Sequence, residues 1–361
     1  MSLKKIAELA GTSVSTVSRV LNSPEHKCNE NGLEKRIWKI AEELHYIPNS
    51  AARELRKGAE VKAEPFVVDI LLTRFDTMDS DPFFLELFHY TEEELMGNKC
   101  ILGEVLTIPD MMSLKEVHTD ISNVPYRSKQ HILQEKQINA SVFVDQKKNT
   151  GLIIFGKCPA ELSDILRKRY AYIVGIDRNP TDYAYDEVIC NGAAAANIAV
   201  EYLISLGHTS IAYIGDCNYE SRYTGYYQAL FNHKIPLRYS NVHQTGQTEQ
   251  EGFRVMQEIM KEAVRPTAIF CANDCTALGV LKALGQNRKR GYLPSVISID
   301  NIAESRKTTP MLTTIHIPKK EMVHLAVTLL LDRKKGDHTE YLRLELPCRL
   351  IERESCTYNN G

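Results

Sequence analysis

Residues 3–22 read Leu3-Lys-Lys-Ile-Ala-Glu-Leu-Ala-Gly-Thr-Ser-Val-Ser-Thr-Val-Ser-Arg-Val-Leu-Asn22, a pattern that predicts two short helices joined by a tight turn. Ile6, Ala7, Leu9 and Ala10 form the apolar stripe of the first helix. Gly11 supplies a turn conformation that a residue with a Cβ resists. Ser13 is placed to N-cap the second helix, its hydroxyl accepting a free backbone N–H. Val17, Val20 and Leu21 are expected to face inward, and Val14, Ser15, Ser18 and Arg19 outward. Small polar residues at a helix N-terminus suit a major groove, where bulky side chains would hold the backbone away from base edges. This is a helix-turn-helix pattern. A third helix follows, with Leu33, Ile37, Ile40, Ala41 and Leu44 at helical spacing.

Downstream of these helices, Pro48 ends the third, because proline disfavours helix in the residue before it. Asn49 can cap a short helix from Ser50 to Lys57, and Gly58 can stop it. Ala51, Ala52 and Leu55 give that segment a small apolar face. A helix this short is marginal in water and is expected only when something stabilises it. Residues 60–65 read as a polar linker.

Charge divides along the same line. Residues 1–58 carry ten Lys/Arg against seven acidic residues, whereas the remainder carries 34 against 39, within a net charge of -2. A mildly basic head on an acidic body fits a DNA-binding head, with phosphate contacts from a few Lys/Arg and backbone amides. The 361 residues suit two or three domains, and 43% apolar residues exclude disorder as the default. Nine cysteines are scattered without a C-x-x-C pair. They read as free thiols in a reducing compartment, with no zinc site. No apolar leader precedes the first helix and no run approaches the ~18 apolar residues of a membrane span. The expectation is a cytoplasmic protein with no membrane association.

Beyond residue 65, strand-like and helical runs alternate. Strands are expected at 67–72, 100–108, 151–155, 171–176, 188–189, 211–214, 268–271 and 296–299. Helices are expected at 83–96, 193–206, 222–232, 276–284 and 321–331. Alternation of this kind implies parallel sheets with helices on both faces. About ten strands over some 300 residues suit two doubly wound lobes.

The run Ile6-Ala-x-x-Ala-Gly-Thr-Ser-x-Ser-Thr-Val-Ser-Arg-Val-Leu-Asn22, followed by Tyr46-Ile-Pro-Asn49 and Ala51-Ala-Arg-x-Leu55, resembles the headpiece of the lactose/galactose repressor (LacI/GalR) family. Seven further segments are similar to that family's core: Asp81-Pro-Phe-Phe84, Gly151-Leu-Ile-Ile154, Leu206 to Gly215, Ser221-Arg-x-x-Gly225, Asn273-Asp-x-x-Ala-x-Gly279, Ser298-Ile-Asp300 and Pro310 to Ile315. The chain departs from the family at Met111–Lys148, where the match is poorest, at Asn149-Thr-Gly151, at Asn191 in place of Asp, and at Leu33.

The resemblance implies an α/β core like the periplasmic sugar-binding proteins, with two doubly wound parallel-sheet lobes around a ligand cleft. The implied layout is a helix-turn-helix headpiece at 1–48, a hinge helix and linker at 49–64, and a core at 65–361. Its lobes would comprise approximately 65–187 with 317–344, and 188–316 with 345–361. The implied DNA-binding residues are Thr12, Ser13, Val14, Ser15, Thr16, Ser18, Arg19, Asn22, Tyr46, Asn49, Ala52 and Leu55. Leu55 would wedge into the minor groove.

The chain lacks G-x-S-x-G, G-x-G-x-x-G, Walker A and H-E-x-x-H motifs. No enzyme activity, catalytic residue, metal or cofactor is expected, and His208, after Gly207 at a helix end, reads as a structural cap. Arg222, Asn273 and Asp300 each follow a strand, where open α/β sheets bind ligands. Asp can accept two hydroxyls, Arg donates from a fork, and Asn does both. These three are the candidate effector residues, with Phe75 and Phe83 as candidate stacking faces. The expected protein is a homodimeric repressor that binds double-stranded operator DNA under control of a small sugar, with a galactose-type effector as the guess. Control by a partner protein, as in the catabolite-control branch, is the alternative. A sugar-binding carrier is a third reading, opposed by the headpiece.

Overall fold

The computed structural model describes residues 3–14, 16–17, 20, 32–43, 65–73, 81–107, 147–177, 183–218, 220–287 and 291–359. The chain divides into two compact units, 1–64 and 65–361.

In the first unit, α1 (Leu3–Ala10) and α2 (Leu33–Glu43) flank a turn and a second helix, helical at each described residue: Val14, Thr16, Val17 and Val20. Gly11 adopts φ +63°, the left-handed region that a Cβ disfavours. Ser13 caps as expected, its Oγ accepting from Thr16 N at 3.1 Å. Ile6, Ala10, Val17, Val20 and Ile37 are buried together. Leu9 corrects the expected apolar stripe: it is 53% exposed, because Ile6, Ala7 and Ala10 already fill the face that packs. Arg36 ties the turn to α2 by donating to the carbonyl of Ala10. Leu21, Leu44 and the 49–58 segment lie outside the described residues.

The second unit holds two six-stranded sheets. The first runs β1 (Val67–Leu72), α3 (Pro82–Gly97), β2 (Ile101–Thr107), β3 (Lys147–Phe155), α4 (Ala160–Arg169), β4 (Tyr170–Ile176) and β5 (Asp186–Cys190). The second follows with α5 (Gly192–Ser205), β6 (Ile211–Gly215), α6 (Ser221–Asn232), β7 (Val242–Gln244), α7 (Glu249–Ile259), β8 (Ala268–Cys271), α8 (Asp274–Gln286), β9 (Ser295–Asp300) and β10 (Thr313–His316). The chain returns to the first lobe with α9 (Lys319–Lys335) and β11 (Arg343–Leu346), then ends in the second with β12 (Arg349–Ile351).

Strand order is β11-β5-β4-β3-β1-β2 in one sheet and β12-β10-β9-β8-β6-β7 in the other. Every pairing is parallel except β10 with β12. Parallel strands need crossover helices, which bury both sheet faces, and the central strands are accordingly apolar apart from Asp69 in β1. Three crossovers join the lobes: after Cys190, at Ile317-Pro318, and at Pro347-Cys348. The lobe changes expected after residues 187 and 344 fall inside β5 and β11, whose pairing with each other continues to Cys190 and Leu346.

Local chemistry explains the helix starts. Asp81 accepts from Phe83 N at 3.1 Å with Pro82 at the first turn of α3, and Thr248 accepts from Glu251 N at 3.3 Å to open α7. Asn191, the departure from the family's Asp, caps α5 through Ala194 N at 3.0 Å, work an Asp would also do. Gly225, Gly252 and Gly279 are close approaches. A Cβ on Gly225 would meet the carbonyl of Ala193, one on Gly252 that of Thr276, and one on Gly279 that of Glu249. The last two press α7 and α8 together backbone to backbone.

His208 caps the end of α5 as expected, its N donating to the carbonyl of Leu203 at 3.2 Å past Gly207 at φ +87°, and its side chain does more. It is buried, with Nδ1 3.0 Å from Thr267 Oγ1 and Nε2 3.0 Å from both Ser295 Oγ and the carbonyl of Thr357. It ties the starts of β8 and β9 to the C-terminal segment. Burial lowers its pKa from the ordinary 6.5, outweighing the Thr357 carbonyl that raises it. A neutral imidazole in the fold and a titrating one in the unfolded chain make its contribution full above about pH 6.5 and lost as pH falls below it. His208→Asn is therefore expected to cost about 1–3 kcal/mol at pH 7.5 and less at pH 5.5, in paired denaturant titrations. A pH-independent penalty would contradict this.

Candidate functional site

The ends of β6, β8 and β9 lie side by side on one edge of the second sheet. Arg222, one residue into α6, is 1% exposed. Its Nε donates to Glu220 Oε1 at 3.0 Å, its Nη2 to Gln247 Oε1 at 2.7 Å, and its Nη1 to the carbonyl of Ala272. Three of five N–H groups are thus spent inside the protein, and the guanidinium is fixed in one orientation. Asn273 caps α8: its Oδ1 accepts from Thr276 N at 3.0 Å and Thr276 Oγ1 at 2.6 Å. Its Nδ2 donates to the carbonyl of Gln247 at 3.0 Å. Arg222 and Asn273 are thereby joined through Gln247, which the sequence reading missed.

Asp300 ends β9 at φ +124°, and Asn301 follows at φ +52°. Two successive side-chain-bearing residues in this region are strained, and their surroundings hold them there. Lys319 Nζ donates to the carbonyls of Asp300 at 2.6 Å and Asn301 at 3.4 Å. Arg353 Nη2 donates to Asn301 Oδ1 at 2.5 Å, and Asn301 Nδ2 lies 3.0 Å from His316 Nδ1.

Beneath this turn, Asp274 is fully buried. It accepts from Ser298 Oγ at 2.5 Å, Thr314 Oγ1 at 2.6 Å and Ile302 N at 2.9 Å. Burial pushes its pKa up to about 6, against the pull of those three donors and Lys319. Asp274, the first residue of α8, therefore ties β9, β10 and the Ile302 amide together.

The first lobe reaches this edge through α3. Glu86 accepts from Ala303 N at 2.9 Å and lies 3.2 Å from Lys319 Nζ, so one carboxylate bridges the lobes. Phe83 sits beside it but is corrected as a stacking face. It is 5% exposed, packs edge-on to Phe84 at 5.4 Å, and has the Lys319 ammonium 5.3 Å from its ring centre. The first turn of α3 points it into the core. Phe75 lies outside the described residues.

Among the expected DNA-contacting residues, Ser13 and Val14 are exposed and Thr16 is half-buried, on the N-terminal turn of the second helix. Thr12 closes the preceding turn, its N donating to the carbonyl of Ala7 at 3.0 Å. Ser15, Ser18, Arg19, Asn22, Tyr46, Asn49, Ala52 and Leu55 lie outside the described residues. No cluster of three or more metal-ligating side chains, and no helix long and apolar enough to cross a membrane, occurs among the described residues.

Sequence missed Gln247, Lys319, Asn301, Arg353 and Glu86 because each acts through partners far away along the chain. Only the Gly-Gln-Thr turn before α7 and the Ile-Pro-Lys entry to α9 marked where two of them sit.

Comparison with known proteins follows the same division. Residues 2–49 match the model of bacterial regulatory proteins, lacI family, and residues 200–356 match the periplasmic binding protein-like domain. The HTH-type transcriptional repressor PurR of Erwinia tasmaniensis is 30% identical over 98% of this chain and 96% of its own, and that of Mannheimia succiniciproducens is 26% identical over 98% of each. Among solved structures, the CelR–cellobiose complex shares the fold at a TM-score of 0.62 and 21% identity, covering 99% of this chain and 100% of its own. The lac repressor dimer bound to operator and the anti-inducer ONPF does so at 0.61 and 20%, covering 99% of each. With a capped helix-turn-helix head followed in sequence by two parallel-sheet lobes, the chain belongs to the lacI family: it is a DNA-binding transcriptional regulator with a ligand-binding domain.

Proposed function

We propose that this protein is a repressor whose operator affinity is set by a small polar effector held against the β6, β8 and β9 ends, with Asp300, Arg222 and Asn273 as its polar partners. The observation that carries this reading is the turn at Asp300. Two adjacent residues at positive φ are held by Lys319, Arg353 and His316 at the strand ends where doubly wound folds bind ligands. Arg222 has two N–H groups beyond its internal bonds, and Asn273 has one. A sugar is the favoured class, supported by related structures described with cellobiose or ribose bound. The same donors and acceptors would serve the ring nitrogens and carbonyls of a nucleobase. The PurR relatives add nothing to the galactoside guess.

In this account a homodimer sets two recognition helices, through Ser15, Thr16, Ser18 and Arg19, into successive major grooves. The 49–57 segment would fold on DNA and insert Leu55. The effector shifts the population between two lobe arrangements, and the Glu86 bridge to Ala303 and Lys319 is one contact that such a shift must break or keep.

The test is a thermal-shift screen over monosaccharides, disaccharides and nucleobases, followed by calorimetry on the hit. Asp300→Asn is expected to weaken that ligand by about tenfold or more, because a carboxylate's charge-assisted bonds exceed an amide's, while operator affinity without ligand stays unchanged. Undiminished ligand affinity in folded Asp300→Asn would move the effector elsewhere and favour control by a partner protein.

A further inference from the structure

Two cysteines stand at two of the three crossovers. Cys190 is the last residue of β5, where the chain first leaves the first lobe. Cys348 lies between β11 and β12, where it leaves for the last time. The parallel pairing of β5 and β11 puts Leu346 opposite Cys190, so Cys348 follows two residues on, past Pro347. The two thiols meet there as hydrogen-bond partners, and both are free. They pack at the margin of the core that runs through both lobes, Cys190 buried and Cys348 half-buried.

We infer that Cys190 and Cys348 form an oxidation site within the hinge, a dithiol that a hydroperoxide converts to a disulfide bridging two crossover strands. The hydrogen bond from Cys190 holds the Cys348 thiol down to about 7, against burial and the nearby Glu345, which raise it. Cys190 is raised by the same bond, by burial and by Asp177 and Glu345. The half-buried partner therefore carries the thiolate, the nucleophilic form. The Cys348 thiolate attacks the peroxide, forming an S–O bond as the O–O bond breaks and an alkoxide leaves, which takes a proton. The Cys190 sulfur then attacks the sulfenic acid, forming S–S as the S–O bond breaks and water leaves. Two thiols and one hydroperoxide give one disulfide, one alcohol and one water, with two electrons passing from sulfur to the peroxide.

Such a bond would pin two of the three strands about which the lobes must turn. The oxidised protein would keep one lobe arrangement, and any effector response that needs the other would be lost.

The test uses the full chain, reduced and then treated with one equivalent of hydrogen peroxide, alkylated and digested without reductant. The expected result is one dominant cross-linked peptide joining Cys190 and Cys348, reversed by dithiothreitol. Slower hydrogen exchange at residues 346–350 should accompany it. The midpoint of Cys348 alkylation against pH should lie below the ordinary thiol range of about 8.5 and rise toward it in Cys190→Ala, which removes the donor that serine would keep. Recovery of both cysteines as separate alkylated or over-oxidised peptides would overturn the assignment, and this mapping needs no variant. A midpoint unmoved in folded Cys190→Ala would do the same, and unchanged exchange in the cross-linked protein would overturn the pinning.

Discussion

Arg222→Met is expected to lower stability by about 3–5 kcal/mol and to abolish effector binding. The side chain is 1% exposed and meets a carboxylate, an amide and a carbonyl. Methionine fills most of its volume but donates nothing, leaving the largely buried Glu220 carboxylate without its closest cation. Breaking one side of a buried pair costs this much because the other charge stays behind. Gln247 also loses the donor that orients it, and with it the link to Asn273. The measurement is the urea midpoint of the full chain, beside Arg222→Lys. Lysine restores a charge but lacks a fork that can reach Gln247 and Ala272 together, so it should recover part of the stability and little ligand binding. A loss under about 1 kcal/mol in the methionine variant would contradict this account.

The second large effect is expected at Asp274. Alanine there would orphan the Ser298 and Thr314 hydroxyls and the Ile302 amide in a fully buried site. Each unsatisfied donor costs about 1–3 kcal/mol, so a total loss of about 3 kcal/mol or more is expected. Asp274→Asn isolates the charge. The folded pKa of Asp274 is raised, so its favourable contribution is full below the unfolded value near 4 and lost as pH rises through about 6. Wild type should therefore gain on Asp274→Asn as pH falls from about 6 to about 4. A constant difference over that window would show that the carboxylate does not change protonation there.

Much of the scaffold was legible because periodicity and punctuation agreed. The central strands read as apolar runs, Gly11 and Ser13 marked the headpiece turn, and Asn191 and Asn273 stood where caps belong. The Gly225 and Gly279 spacings, read first as family resemblance, prove to be points where helix backbones nearly touch. Short or polar elements were not legible. Half of α4 is charged, and β7 and β12 have three residues each, so none shows a clear apolar period; α7 was passed over although Val255, Met256 and Ile259 recur on one helical face. Leu9 misled because a hydrophobic residue is not obliged to be buried.

The site divides the same way. Arg222, Asn273 and Asp300 were found because each follows a strand end, and strand ends can be read locally. Gln247, Lys319, Asn301, Arg353 and Asp274 fix those three in place through contacts made only after the sheets assemble. Asn273 shows the cost of local reading, because most of its hydrogen-bonding capacity serves the α8 cap and Gln247.

The central claim is that effector and operator are coupled through one protein. Its most direct test is a titration of operator DNA, obtained by selection from a random pool with the full chain, at fixed salt with and without the ligand found by the thermal-shift screen. The account predicts a change in operator affinity of about 5–150-fold, with the reciprocal change in ligand affinity when operator is saturating. Equal operator affinity with and without a ligand that calorimetry shows to be bound would contradict it.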